Sequence, residues 1–157
     1  MSLTDLIWLA TACYGLHILE EFQLNWRDWA RGVIGLPVEW SDFYVVNALV
    51  IVLGIVAANL AVSSPGLALA LPALMLINAT FFHILPMVRT GGRFSPGLFT
   101  AVLLFYPVGI ACYWRAAADG ELGAGGLIGS LVLGALLMAS PIVLLKIKTR
   151  PYFRQEP

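Results

Sequence analysis

Residues 43–62 read FYVVNALVIVLGIVAANLAV, twenty positions without one charged side chain. The hydrocarbon core of a bilayer is about 30 Å thick, which a helix of about 20 apolar residues can cross. Backbone groups inside lipid must be hydrogen-bonded within their own segment, and this run lacks the alternating pattern of a barrel strand. The stretch therefore predicts a transmembrane helix.

Further apolar stretches of similar length lie on both sides of it. The predicted spans are 3–22, 43–62, 66–88, 97–114 and 127–147. The connectors hold the turn-forming residues and nearly every charge. Residues 25–36 mix tryptophans with charges, which predicts a short amphipathic segment at the membrane interface. The fold class predicted is all-α, a polytopic transmembrane helix bundle of five spans that forms a single domain over residues 1–157.

The composition limits the class of protein. Of the 157 residues, 60% are hydrophobic and 11% are charged, whereas soluble domains average about 45–50% and about 25%. The net charge is zero, so no basic surface for nucleic acid is expected. Cys13 and Cys112 lie inside apolar runs, which favours neither a disulfide framework nor a zinc knuckle. The predicted partners are membrane lipid and a hydrophobic small molecule, in a multi-pass protein of the plasma (inner) membrane.

The positions of the cations predict an orientation. With five spans, eight of the nine Lys and Arg residues fall on one side of the membrane, and Arg115 falls on the other. The eight are Arg27, Arg31, Arg89, Arg93, Lys146, Lys148, Arg150 and Arg154. Cytoplasmic loops are enriched in Lys and Arg. The N-terminus is therefore predicted outside and the C-terminus in the cytoplasm.

Ionisable side chains at membrane depth are costly and indicate functional sites. His17 and His83 each lie about five residues from the cytoplasmic end of an inward-running predicted span, or about 8 Å of depth. Several uncharged polar residues are expected close to that level: Asn47, Asn78, Thr80, Ser95 and Thr100. We expect one polar pocket in the inner half of the bundle.

The segment HILEE, residues 17–21, concentrates the chemistry. On a helix, the imidazole of His17 reaches Glu20 at i+3 and Glu21 at i+4. Such a turn can hold a divalent metal or form an acid/base pair. We predict His17, Glu20 and Glu21 as catalytic residues. The predicted metal ligands are His17, Glu20, Glu21 and His83. Asn47, Asn78 and Thr80 are predicted to surround these ligands and support them. Arg89 and Arg93 are predicted to line the entrance through which the substrate reaches the pocket.

These motifs resemble the HXXEE family of small integral membrane proteins. The family pattern is an H-x-x-E-E motif near the start, a second histidine downstream and then a Y-x-P-G-type motif. Here the last motif reads Phe94-Ser95-Pro96-Gly97, with phenylalanine at the tyrosine position. The resemblance extends over roughly residues 13–110. The resemblance implies a site in the membrane at these motifs and implies no particular reaction.

Three functions are compatible with these residues. The first is a metal-dependent enzyme that uses Zn, Fe or Mn on a hydrophobic or lipid-like substrate. The second is a metal-free acid/base enzyme of the isomerase type, in which Glu20 or Glu21 stays protonated. The third is not enzymatic: a haem b protein with His17 and His83 as axial ligands, or a proton relay through the glutamates. The alternative to all three is a purely structural role, in which a buried histidine and a neighbouring glutamate hold two helices together. Such a polar pair contributes about 0.6 kcal/mol of stability in a membrane.

Overall fold

The computed structural model describes residues 1–148, 150 and 152, and within them helices are the only regular secondary structure. The helices are α1 (Leu3–Gln23), α2 (Trp26–Val33), α3 (Trp40–Leu60), α4 (Pro65–Arg89), α5 (Leu98–Ala118) and α6 (Ala124–Lys148). The prediction of an all-α fold is confirmed. The predicted segment 25–36 contains the short helix α2.

Four helices, α3 to α6, are long and apolar enough to cross a membrane. They coincide with four of the five predicted spans. Helix α1 is as long as α3, with 21 residues each, but it does not belong to this group. It differs in carrying His17, Glu20 and Glu21 near its C-terminal end. The protein is thus a helical membrane protein with four candidate spans.

The helices approach closely where one of them has glycine. A Cβ at Gly54 of α3 would lie 2.4 Å from Oγ1 of Thr11 on α1. A Cβ at Gly134 of α6 would lie 2.6 Å from Cβ of Ala73 on α4. Small residues are enriched at such interfaces because they let two backbones come together. These contacts bring α1 against α3 and α4 against α6.

Helices α4 and α5 each contain a π-helical segment, Ala79–Ile84 in α4 and Ala101–Phe105 in α5. The two segments contact each other. Each ends two residues before a proline, Pro86 or Pro107. Proline lacks an N–H and clashes with the carbonyl four residues earlier, so the regular helical pattern is interrupted there. Such π-turns frequently occur at functional sites.

The two ends of the bundle can be told apart by their contacts. At one end, Leu145 of α6 packs with Trp29 of α2 and with Val38. At the other end, the starts of α4 and α6 meet, where a Cβ at Gly66 would lie 3.4 Å from Cα of Gly126. Most of the predicted cytoplasmic cations belong to the first end. Arg154 lies outside the described residues.

Candidate functional site

Three side chains converge inside the half of the bundle that ends at Leu145 and Trp29. His17 and Glu21 lie one turn apart on α1, and His83 comes from the π-helical segment of α4. Glu21 Oε1 is 3.5 Å from His17 Nε2 and 3.7 Å from His83 Nε2. The three ligand atoms all lie within 4.8 Å of one another. Both histidines are 0% exposed and Glu21 is 4% exposed.

Hydrogen bonds fix the tautomer of His17. Its Nδ1 lies 2.8 Å from Oγ1 of Thr100, whose hydroxyl donates to Oε2 of Glu20 at 2.6 Å. A threonine hydroxyl has a single hydrogen. Because this hydrogen goes to Glu20, Oγ1 accepts from the Nδ1–H of His17. The Nε2 atom of His17 therefore carries a lone pair toward Glu21.

His83 is held in the same way. Its Nδ1 lies 3.1 Å from Oγ of Ser95, and that hydroxyl donates to the carbonyl oxygen of Phe82 at 3.4 Å. When the Ser95 hydroxyl donates to Phe82, the Ser95 oxygen accepts from the Nδ1–H of His83. In that arrangement the lone pair on His83 Nε2 is directed to the same carboxylate.

The centre of the cluster consequently contains acceptors without donors. The Nε2 atoms of His17 and His83 are buried and have no hydrogen-bond partner within the part of the chain that the structure describes. Buried unpaired acceptors are costly, and a cation would satisfy both at once. Ligand atoms about 2.0–2.2 Å from a tetrahedral ion are roughly 3.4 Å apart. Two of the three separations, 3.5 and 3.7 Å, are close to this value, and all three atoms lie within 4.8 Å of one another, so a small shift of the side chains would bring these three residues around one metal ion.

Glu20 lies outside this group. Its carboxylate accepts from the backbone N–H groups of Gly97 at 3.1 Å, Phe99 at 3.1 Å and Thr100 at 2.8 Å, as well as from the Thr100 hydroxyl. These donors form the start of α5, where the helix dipole favours a negative charge. Both carboxylate oxygens of Glu20 are thus occupied, and the adjacent glutamates have different surroundings.

Gly97 closes one side of the cluster. A Cβ at this position would lie 2.6 Å from Cε1 of His83, 2.7 Å from Cε1 of His17 and 3.0 Å from Cγ of Glu21. Its φ of +94° also belongs to the region that favours glycine. The motif at residues 94–97 therefore packs directly on the H-x-x-E-E motif at residues 17–21, and this contact requires glycine at position 97.

The predicted supporting asparagines lie beside a cavity. Asn47 accepts a hydrogen bond from the hydroxyl of Tyr14 at 3.2 Å. The Nδ2 atom of Asn78 lies 3.9 Å from Sδ of Met138, and the Oδ1 atom of Asn78 has no partner among the described residues. All four residues line the cavity. Their described hydrogen bonds therefore join them to one another, not to the His-Glu-His cluster.

The remaining predicted residues are further from the centre. The Thr80 hydroxyl donates to the carbonyl of Leu76 at 2.7 Å and lies 2.8 Å from the hydroxyl of Tyr106. Arg89 and Arg93 are exposed. Neither arginine lines the cavity beside the cluster. The structure thus brings His17, Glu21 and His83 together, and leaves these three residues outside.

The cavity has a volume of about 420 Å³ and mostly apolar walls, which lies within the size range of small-molecule sites. Glu21 and Tyr14 of α1 form part of its wall, so the cluster borders the cavity. Most of the other lining residues come from the first half of α3 and the last part of α6.

Tyr14 was not among the predicted site residues. Its ring stacks on Phe105 at 5.6 Å between centroids and lies 6.0 Å from the ring of His17. The available signal was its position three residues before His17, which places both on one face of α1.

The fold and the site together define a helical membrane protein with a buried His-Glu-His cluster beside an apolar cavity. The chain belongs to the HXXEE family, described as proteins of unknown function with HXXEE motif, which matches residues 8–112. This range includes all three residues of the cluster. No curated protein and no solved structure matches the chain.

Proposed function

We propose that this protein is a membrane metalloenzyme that holds one divalent ion between His17, Glu21 and His83 and acts on a hydrophobic substrate. One observation carries the proposal: the buried Nε2 atoms of His17 and His83, without hydrogen-bond partners among the described residues, lie 3.5 and 3.7 Å from one carboxylate oxygen of Glu21. Two histidines and one carboxylate leave coordination positions open, which is typical of catalytic rather than structural sites. When bound, the ion would polarise a substrate oxygen or activate a water molecule.

The surrounding residues orient the ligands. Ligating histidines commonly donate their other N–H to a nearby oxygen, and these partners contribute strongly to affinity. Thr100 would do so for His17, with Glu20 holding the Thr100 hydroxyl in place. Ser95 would do so for His83. Glu20 is therefore a positioning residue in this proposal, whereas Glu21 is a ligand.

The identity of the ion is limited by its ligands. Nitrogen and oxygen ligands without thiolate suit Zn, Fe or Mn, and the combination of two histidines with one carboxylate is common for Fe(II). We propose one of these three metals. A single carboxylate and two imidazoles are too few for two ions, so the proposal is a mononuclear centre.

A metal-free acid/base enzyme is the second candidate. Glu21 lies close enough to both histidines for one proton to be shared between the carboxylate and an imidazole. Activity of this kind would survive treatment with a chelator. A haem b protein fits the site poorly. The two histidine rings are nearly perpendicular, 88°, with centroids only 4.8 Å apart, which leaves no space for a macrocycle between them.

We further propose that α1 is the fifth span. Its outward-facing residues Leu9, Leu16 and Leu19 are apolar and exposed, as lipid contact requires. Its polar residues His17 and Glu21 are buried inside the bundle. With five spans, the positive-inside rule supports an external N-terminus and a cytoplasmic C-terminus. The plasma (inner) membrane is the proposed location.

The metal content of the purified protein tests the proposal. Cells are grown in turn with added Zn, Fe or Mn, and the detergent-purified protein is measured by elemental analysis. We expect about one ion per chain in the wild type and a loss of most of it in Glu21→Gln. Glu121→Gln, at an exposed position between α5 and α6, is the matched control and should retain the ion. A wild type that remains free of metal after reconstitution would exclude the proposed centre.

A further inference from the structure

The cavity beside the cluster reaches the outer surface of the bundle. Val45 of α3 and Leu144 of α6 both line it, although they are 61% and 60% exposed. Both helices are candidate spans, so their exposed apolar residues face lipid. The cavity therefore reaches the lipid-facing surface of the bundle at Val45 and Leu144.

The end of the cavity nearest the helix termini is polar. Asp42, near the start of α3, accepts hydrogen bonds of 2.5 and 2.6 Å from Nζ of Lys148, at the end of α6. Both residues line the cavity. The ammonium group of Lys148 is thus already neutralised by Asp42. Among the described residues, Lys148 is the one cationic side chain that lines the cavity, so the wall has no unpaired cationic side chain for an anionic ligand.

One buried amide in this wall has an oxygen without a hydrogen-bond donor. Asn78 is 5% exposed, and its Oδ1 atom accepts no hydrogen bond from the residues that the structure describes. Its Nδ2 atom has only the thioether of Met138, 3.9 Å away, as an acceptor. A hydroxyl group can both donate and accept, so it would pair with either end of the Asn78 amide. An apolar ligand with one hydroxyl would satisfy this group and the apolar walls together.

We propose that the cavity binds a neutral, lipid-dissolved alcohol, with its hydroxyl on Asn78 and its apolar body between α3 and α6. The alcohol enters sideways from the bilayer between Val45 and Leu144. That this ligand is the substrate of the metal centre rests on the proposed function. The binding itself does not require the metal.

Photolabelling in vesicles tests the proposal. The purified protein is placed in phosphatidylcholine vesicles with a long-chain alcohol that carries a diazirine, and the labelled residues are mapped. We expect the label on cavity residues of α3 and α6. An excess of unlabelled alcohol should compete about tenfold better than the alkane of equal chain length, because the alkane cannot pair with the buried amide. Equal competition by the alkane would overturn the proposal, and so would labels confined to other surfaces.

Variants test separately the contact of the hydroxyl with Asn78 and the entry of the alcohol between α3 and α6. Asn78→Leu, of similar size, should abolish the preference for alcohol over alkane. Val45→Trp combined with Leu144→Trp should reduce cavity labelling at least fivefold, whereas Val52→Trp, exposed on the same helix but outside the cavity, should not. Unchanged labelling in the double tryptophan variant would contradict entry between α3 and α6.

The metal proposal can fail independently of this one. His83→Ala removes a proposed ligand that does not line the cavity, and it should keep the preference for alcohol. A metal-free wild type that still selects the alcohol would refute the metal centre alone. A metal-loaded wild type without this selectivity would refute the alcohol site alone.

Discussion

Glu20 and Glu21 are neighbours in the chain but occupy different environments. Successive residues on a helix point about 100° apart. Glu21 therefore turns toward the two histidines, whereas Glu20 turns toward the first N–H groups of α5. The two are still connected, because the Thr100 hydroxyl joins Glu20 to His17. A single motif thus supplies a proposed metal ligand, Glu21, and the carboxylate of Glu20 that binds the start of α5.

Thr100→Val tests this connection. Valine has nearly the same shape but offers no oxygen to the Nδ1–H of His17. Loss of such a partner typically weakens metal binding by about 10–100-fold. Thr100→Ser keeps the hydroxyl and should bind within a few fold of the wild type. Competitive titration with a metal-sensitive dye measures both. Equal affinity in Thr100→Val and the wild type would remove Thr100 from the account.

Gly97→Ala should disrupt both the cluster and the fold. The added methyl group would collide with His17 and His83, and φ at this position is +94°. We expect a loss of stability of about 2–4 kcal/mol from backbone strain and overpacking together. Thermal unfolding in detergent measures it.

The control for this variant is Gly15→Ala. Gly15 lies in the middle of α1 with nothing within 4 Å of an added Cβ. That substitution should leave the protein equally or slightly more stable. Unfolding of Gly97→Ala at the same temperature as the wild type would contradict the close contact of Gly97 with His17 and His83.

At the scale of helices, apolar run length predicts most of the structure. The predicted span 66–88 corresponds to Pro65–Arg89, and 43–62 to Trp40–Leu60. Boundaries differ because helix ends depend on caps: α3 starts early with a capping box between Glu39 and Asp42. Hydropathy alone does not include α1 among the candidate spans, because the polar residues His17, Glu20 and Glu21 lower its mean hydropathy.

Several features of the site could not be predicted from the hydropathy and residue spacing of the sequence. Periodicity places both Glu20 and Glu21 within reach of His17, and only the position of α5 distinguishes them. The expected depth of His83 did place it near His17. The π-helical turn that carries His83 has no such signal, since it arises from Pro86 together with tertiary contacts. The left-handed conformation of Gly97 likewise depends on the loop around it.

The contact between α4 and α6 can be tested by Gly134→Ala. The added Cβ would lie 2.6 Å from Cβ of Ala73 and 2.8 Å from the backbone nitrogen of Leu74, so the helices must separate. We expect a destabilisation of about 1–3 kcal/mol. Gly129→Ala on the same helix meets nothing within 4 Å and is the matched control. Equal unfolding curves for the two variants would contradict the observed packing.

At the scale of the whole molecule, the cluster and the cavity lie in the same half of the bundle. In the proposed five-span arrangement this half faces the cytoplasm. A reporter fused after Pro157 should then be cytoplasmic, and one placed between α5 and α6 should be external. Paired fusions to alkaline phosphatase and to a fluorescent protein distinguish the two sides. A cytoplasmic reporter at both positions would contradict the predicted topology.

The most direct test of the central claim is X-ray absorption spectroscopy at the edge of the bound metal in the purified protein. The account predicts nitrogen and oxygen scatterers at about 2.0–2.2 Å, the outer-shell pattern of two imidazoles and no sulfur. The pattern should fall to one imidazole in any ion that His83→Ala still holds. A first shell of oxygen alone, or an imidazole contribution unchanged in His83→Ala, would show that the ion does not lie between His17, Glu21 and His83.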